Sequence, residues 1–169
     1  MKFIIWTRDD ILKLTTKQKA MWFDVYNNNL FIDSDLDITT MSDNEIHTVY
    51  KNLQQEYYNY IDSLLIDSLF VFYLILEDED FYLSQLRVII RDGFYTIEGF
   101  ETHRDHHMQG HGSFLISEAL RVCKEVGITE VYANIYTKNN ASYKSFIKNG
   151  FKEVNNDVEG RKRVVKRLA

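Results

Sequence analysis

The segment whose residue types could first do chemistry is His107-Met108-Gln109-Gly110-His111-Gly112-Ser113. Gly110 and Gly112 lie between a predicted strand and a predicted helix, where missing side chains let a ligand approach the backbone. A helix start also exposes unpaired N–H groups and the positive end of the helix dipole. Amides from about Gln109 to Ser113 therefore suit a pyrophosphate. A Gly-x-Gly before a helix is equally the composition of a tight turn. The segment lacks both the Gly-Lys-Ser/Thr of a P-loop and the full G-x-G-x-x-G of a dinucleotide site. Four histidines, His103, His106, His107 and His111, crowd around Asp105 nearby. Adjacent His106 and His107 do not converge easily and the spacing matches no standard zinc pattern, so no metal is expected. The lone cysteine, Cys123, falls in an apolar helical stripe and reads as buried and inert.

A second segment, Asn139-Asn140-Ala141-Ser142-Tyr143-Lys144-Ser145-Phe146-Ile147-Lys148-Asn149-Gly150-Phe151, follows the next predicted strand. The two together resemble the signatures of the GNAT N-acetyltransferase superfamily. Its first signature, Arg/Gln-x-x-Gly-x-Gly/Ala after a strand, is matched by 107–112 except at His107. Its second, an asparagine followed by a helix ending in Gly-Phe, is matched by Asn139 and by Gly150-Phe151. The resemblance covers roughly residues 94 to 155, and residues 1 to 67 share only a helical character.

The resemblance implies an α+β fold, a mixed and largely antiparallel sheet splayed open mid-way and flanked by helices. It also implies acetyl-CoA as co-substrate in the opening, with no metal. The Thr102 backbone would pair with the pantetheine arm, the amides of Met108, Gln109, Gly110, His111, Gly112 and Ser113 would take the pyrophosphate, His107 would keep the backbone contact of the Arg/Gln it replaces, and Asn139 and Phe146 would line the opposite wall. The implied reaction is direct attack of a primary amine on the thioester in a ternary complex, which calls for a base at pH 7. By strand alternation Thr96, Glu98, Phe100 and Thr102 share one face and Glu101 points to the other. Glu98 is the expected base and Glu101 the runner-up. The family's usual acid, a tyrosine four residues before the Gly-Phe glycine, is replaced by Phe146, which leaves Tyr143, one turn earlier, as the expected proton donor. That replacement also keeps open a non-catalytic acyl-CoA sensor or interaction module.

These residues need elements to position them. Residues 2–6 read as a strand, and a helix follows from about Thr16 to Asn27, with Ala20, Phe23 and either Trp22 or Tyr26 available for packing. A capping box at Ser42-Asp43-Asn44-Glu45 opens a second helix, which runs to about Asp67 with Ile46, Val49, Tyr50, Leu53, Tyr57, Tyr60, Ile61 and Leu64 at helical spacing. Strands over 69–77, 81–91 and 94–102 form an antiparallel meander, with Asp92-Gly93 as its strongest turn. A helix from near Gly112 to Gly127, a strand over 131–136, a short helix over 140–148 and strands near 151–154 and 163–168 complete the pattern.

The chain has 169 residues, enough for one ordinary domain, and 1–169 is read as a single domain. Its composition, 45% hydrophobic and 27% charged, is that of a soluble protein. No apolar run approaches the roughly 20 residues of a membrane span, and a cytoplasmic location is expected. A net charge of −5 argues against a nucleic-acid partner and leaves cationic acceptors open, either small amines or protein amines. Acidic residues at Asp33, Asp35, Asp37 and 77–80 suit such a partner, although solvated turns explain them too. The basic cluster Arg161, Lys162, Arg163, Lys166 and Arg167 reads as a solvated strand end, and a homodimer is left open.

Overall fold

The run Leu69 to Leu76 is apolar without alternation, which requires burial on both faces of a sheet. The computed structural model describes residues 1–33, 38–79, 81–154 and 160–168, excluding the side chains of 26–33, 38 and 104. In it this run becomes β2 (Phe70–Asp78), flanked by β1 (Lys2–Trp6) and β3 (Phe81–Arg91). Phe72, Leu74 and Leu76 enter one apolar cluster, and Tyr73 and Ile75 enter another. The sheet therefore has two cores.

The first core is closed by α4 (His111–Glu125), through Leu115, Ile116, Ala119 and Cys123, and by Phe146 of α5 (Asn140–Lys148). The second is closed by α2 (Thr16–Asp33) and α3 (Asp43–Ile66), with a short α1 (Arg8–Leu12) after β1. Trp22 meets Tyr73 edge-on at 4.9 Å. Ser42 caps α3 through the Glu45 N–H at 3.2 Å, the forward half of the expected capping box. The expected stop at Asn27-Asn28-Asn29 does not end α2, which runs to Asp33: asparagine is only mildly unfavourable within a helix, unlike proline, and does not by itself terminate one. Ala20, expected to pack, is exposed, and Tyr26 lies outside the described side chains. Of the acidic residues expected to attract an acceptor, Asp35, Asp37 and Asp80 lie outside the described residues, as does the side chain of Asp33.

The seven strands run in the order β1-β2-β3-β4-β5-β7-β6, where β4 is Phe94–Thr102, β5 Glu130–Tyr136, β6 Lys152–Glu153 and β7 Arg161–Arg167. All pairings are antiparallel except β4 with β5. Those two are in register only at Thr96 with Tyr132 and Ile97 with Ala133. Beyond these pairs the strands part, and the sheet splays open as expected. Among the described residues no helix is long and apolar enough to cross a membrane.

Candidate active site

A register shift in β4 shapes the opening. Arg87 pairs with Glu98 and Gln85 with Glu101, so three residues on β3 face four on β4. The extra residue sits at Gly99, whose φ of +61° places it in the left-handed region that favours glycine. Because Gln85 and Arg87 share a face of β3, so do their partners Glu101 and Glu98. This corrects the strict alternation that put Glu101 opposite Glu98. Phe100 and Thr102 turn to the α4 side instead, where Phe100 meets Phe146 edge-on at 5.4 Å.

Two cavities occupy the opening. The first, about 540 Å³, is lined from α3 by Glu56 and Tyr60, from β3 by Arg87 and Arg91, from β4 by 97–101, and from the far wall by Asn134, Tyr136, Asn139 and Arg161. The second, about 450 Å³, lies between 106–113 and α5, where Ser142, Lys144, Ser145 and Lys148 line it. Phe100, Glu101, Asn139 and Ser142 line both, which makes the two spaces one bent cleft.

In the second cavity, Gly110 caps α4 in a left-handed conformation, with no side chain bonded to the first helical amides. Met108 is also left-handed, at φ +64°, and 94% exposed. Gly112 is needed for packing: a Cβ there would stand 2.6 Å from the Phe100 ring and 3.1 Å from Thr102 Oγ1. That close approach sets the bare helix start against the end of β4. Unpaired amides, a helix dipole and the ammonium groups of Lys144 and Lys148 form a donor set that fits a polyanionic ligand such as the phosphates of coenzyme A. The two lysines, one turn apart on α5, carry no motif and were not singled out in the sequence.

The histidines stay close, with His103 and His106 rings at 5.7 Å and His106 and His111 rings at 6.4 Å, but each takes a different partner. His103 meets Asp24 at 3.1 Å, His106 stacks on Phe81 at 5.0 Å and His111 meets the Gln109 amide oxygen at 3.1 Å. Among the described residues no three His, Cys, Asp or Glu side chains converge on a metal position. His107 donates from Nε2 to the Thr102 carbonyl at 2.6 Å. Since the His103 N–H pairs back to Leu83, the Thr102 groups point to the cleft edge, and the carbonyl expected to meet pantetheine already holds His107. Asn139 caps α5 by accepting from the Ser142 N–H at 3.0 Å, and Ser113 is held by the Asn149 side chain. Cys123 is fully buried, which pushes its thiol up to about 12.

In the first cavity Glu98 is the centre of a network. Its Oε1 accepts from Tyr60 Oη at 2.5 Å and Arg87 Nε at 2.8 Å, and its Oε2 accepts from Arg91 Nη2 at 2.8 Å. Arg87 also donates to Tyr73 Oη at 3.0 Å. Burial pushes the Glu98 carboxyl up, but the Arg87 charge and the bonds from Tyr60 and Arg91 outweigh it and hold the group below its ordinary value. Those bonds oppose the proton uptake that the expected base requires. Burial, with the bond to Glu98, raises the Tyr60 hydroxyl. Tyr60, Arg87 and Arg91 carry no motif, and Arg161, expected with the basic cluster to be a solvated strand end, instead lines this cavity; only tertiary contact brings the four together.

Tyr143, the expected acid, is turned away. Asn139, Ser142 and Phe146 face the cleft at helical spacing, and Tyr143, about 100° further round, donates to Glu153 of β6 beneath the Lys162 ammonium. Phe146 is 2% exposed, packed between Phe100 and Phe151.

Residues 38–151 match the acetyltransferase (GNAT) family model. The fold is similar to PaiA N-acetyltransferase of Thermoplasma acidophilum, crystallised with coenzyme A, at TM-score 0.69 and 16% identity, covering 99% of this chain and 100% of that one. It is also similar to ribosomal-protein-alanine N-acetyltransferase of Brucella melitensis (TM-score 0.62, 16% identity, 99% and 100% covered) and to ElaA of Escherichia coli (0.64, 12%, 99% and 100%). No curated protein matches the sequence. With the family model spanning well over half of its length, the chain belongs to the GNAT family of acetyltransferases.

Proposed function

We propose that this protein transfers an acetyl group from acetyl-CoA to a primary amine by direct attack in a ternary complex. The observation that carries the reading is the bent cleft where β4 and β5 part, with an anion-fitting helix start in one arm and charged side chains in the other. When bound, acetyl-CoA supplies the acetyl group as a thioester. The amides of Gly110, His111 and Gly112, with Lys144 and Lys148, hold its phosphates. The N–H of Phe100, in the bulged stretch of β4 that has no register partner on β3, stabilises developing negative charge on oxygen.

Glu101 stands where the two arms meet and takes the proton from the acceptor ammonium. Glu98 fixes Arg87 and Arg91 and is a positioning residue. The single, buried Cys123 fits a reducing compartment such as the cytoplasm. One observation favours the second reading, a non-catalytic acyl-CoA-binding module: Phe146 and Tyr143 place no α5 phenol in the cleft.

Thiol release across an amine panel, with acetyl-CoA binding measured in parallel by calorimetry, tests these readings. Release with at least one amine is expected. Binding without release on any amine would establish the sensor, and absence of binding would overturn both. Glu101→Gln should lower turnover chiefly below the acceptor's own pKa, and a loss independent of pH would remove it as base.

A further inference from the structure

The first arm of the cleft holds three arginines, Arg87, Arg91 and Arg161, among three carboxylates, Glu56, Glu98 and Glu101, and the acetyl-transfer reading gives the arginines no contact with the acceptor. Thr96 is in register with Tyr132, and Tyr136 with Arg161, so Glu98, Asn134, Tyr136 and Arg161 share one face of the sheet with Arg87 and Arg91. Arg87 and Arg91 divide a single carboxylate, Glu98. Arg161 has no carboxylate partner among the described residues. Its guanidinium lies over the Tyr136 ring at 4.4 Å, and Nη2 donates to Tyr136 Oη at 2.7 Å. Arg91 is held on one side only, with Nη2 donating to both Tyr60 and Glu98. Each guanidinium is thus oriented through its Nη2, and both arginines line the same cavity. Two carboxylates, Glu56 on α3 and Glu101 beyond the bulge, line that cavity as well.

A fixed guanidinium with an open edge matches a planar carboxylate, and its side-chain entropy is already lost. A purely cationic acceptor would engage the carboxylates alone and would be repelled by Arg161, which no carboxylate among the described residues holds. We propose that the acceptor amine also bears a carboxylate, as an amino acid does, with Arg161 and Arg91 holding the carboxylate and Glu101 and Glu56 receiving the ammonium. This rests on the acetyl-transfer reading and names its substrate class.

The test uses the full-length protein with acetyl-CoA and acceptors matched in pairs: amino acids against their carboxamides, with linear polyamines as the cationic alternative. For at least one amino acid, kcat/KM should exceed that of its amide by about tenfold, the discrimination expected of one well-made charged pair. Arg161→Gln should erase the ratio through KM, with the acetyl-CoA Kd unchanged. Equal or better use of amides or polyamines overturns the proposal, as does a variant that weakens both members of a pair alike. If no acceptor turns over, amino acid and amide are compared by NMR titration of the CoA-saturated protein, and no preference overturns it too. Failure of the acetyl-transfer reading is separate and appears as no thiol release with any acceptor, whether or not acetyl-CoA binds.

Discussion

The Arg87 guanidinium crosses β4 at Gly99, where a Cβ would stand 2.2 Å from Nη1 and 2.8 Å from Cζ. Arg87 is 6% exposed and reaches both Glu98 and Tyr73 over the bare backbone. Gly99→Ala should therefore displace a buried ion pair as well as strain a left-handed residue, costing about 3 kcal/mol or more in urea denaturation. Gly93→Ala is the control: its φ is +84° but nothing lies within 4 Å, so about 1 kcal/mol is expected. Equal losses in the two variants would refute the crossing.

Glu98 contributes to stability in a pH-dependent way. Its folded pKa lies below the ordinary 4.5, so the contribution is present above that value and is lost as pH falls through the folded pKa. Glu98→Gln should cost about 3 kcal/mol at pH 7. The gap to the unmodified protein should shrink below pH 4.5. A gap constant from neutral pH down to pH ~3 would show that the ion pairs are not its source.

Gly112 and Gly110 should behave differently in acetyl-CoA binding. A methyl at Gly112 meets the Phe100 ring and drives the α4 start away from β4, whereas one at Gly110 enters open space. Gly112→Ala should weaken binding by about tenfold or more, equivalent to about 1.4 kcal/mol, and Gly110→Ala by much less. Calorimetry decides, and the reverse order would mean that helix placement is not what builds the cradle.

Tyr143 bonds Glu153 at the far side of α5, with its hydroxyl pushed up by that bond. Tyr143→Phe should leave turnover within about twofold of the unmodified protein, the loss of an exposed hydrogen bond away from the chemistry. A loss of about a hundredfold, the scale of a missing general acid, would return Tyr143 to the cleft.

Where the site was legible, the signal was local. Gly110, Gly112, Asn139 and Gly150-Phe151 act through backbone conformation and helix capping, which neighbours in sequence specify, and α4, β5 and α5 followed from periodicity and turn residues. The end of α2 was not legible: three asparagines suggest a stop, yet their helix penalty is small and the helix, anchored by Trp22, Phe23 and Val25 against β2 and α3, runs on to Asp33.

The face of Glu101 shows the division most clearly. The sequence alone determined that a strand ran from Phe94 to Thr102 into a glycine-containing helix start, since β-propensity and capping are short-range. It did not determine the bulge at Gly99, because a single extra residue shifts the alternation only through the register with β3, and Arg87 must lie across that glycine for the shift to be favourable. Tertiary structure therefore decided which carboxylates share a wall, which one the arginines hold, and that Tyr143 faces away. Each depends on contacts between separate elements whose packing no local pattern encodes.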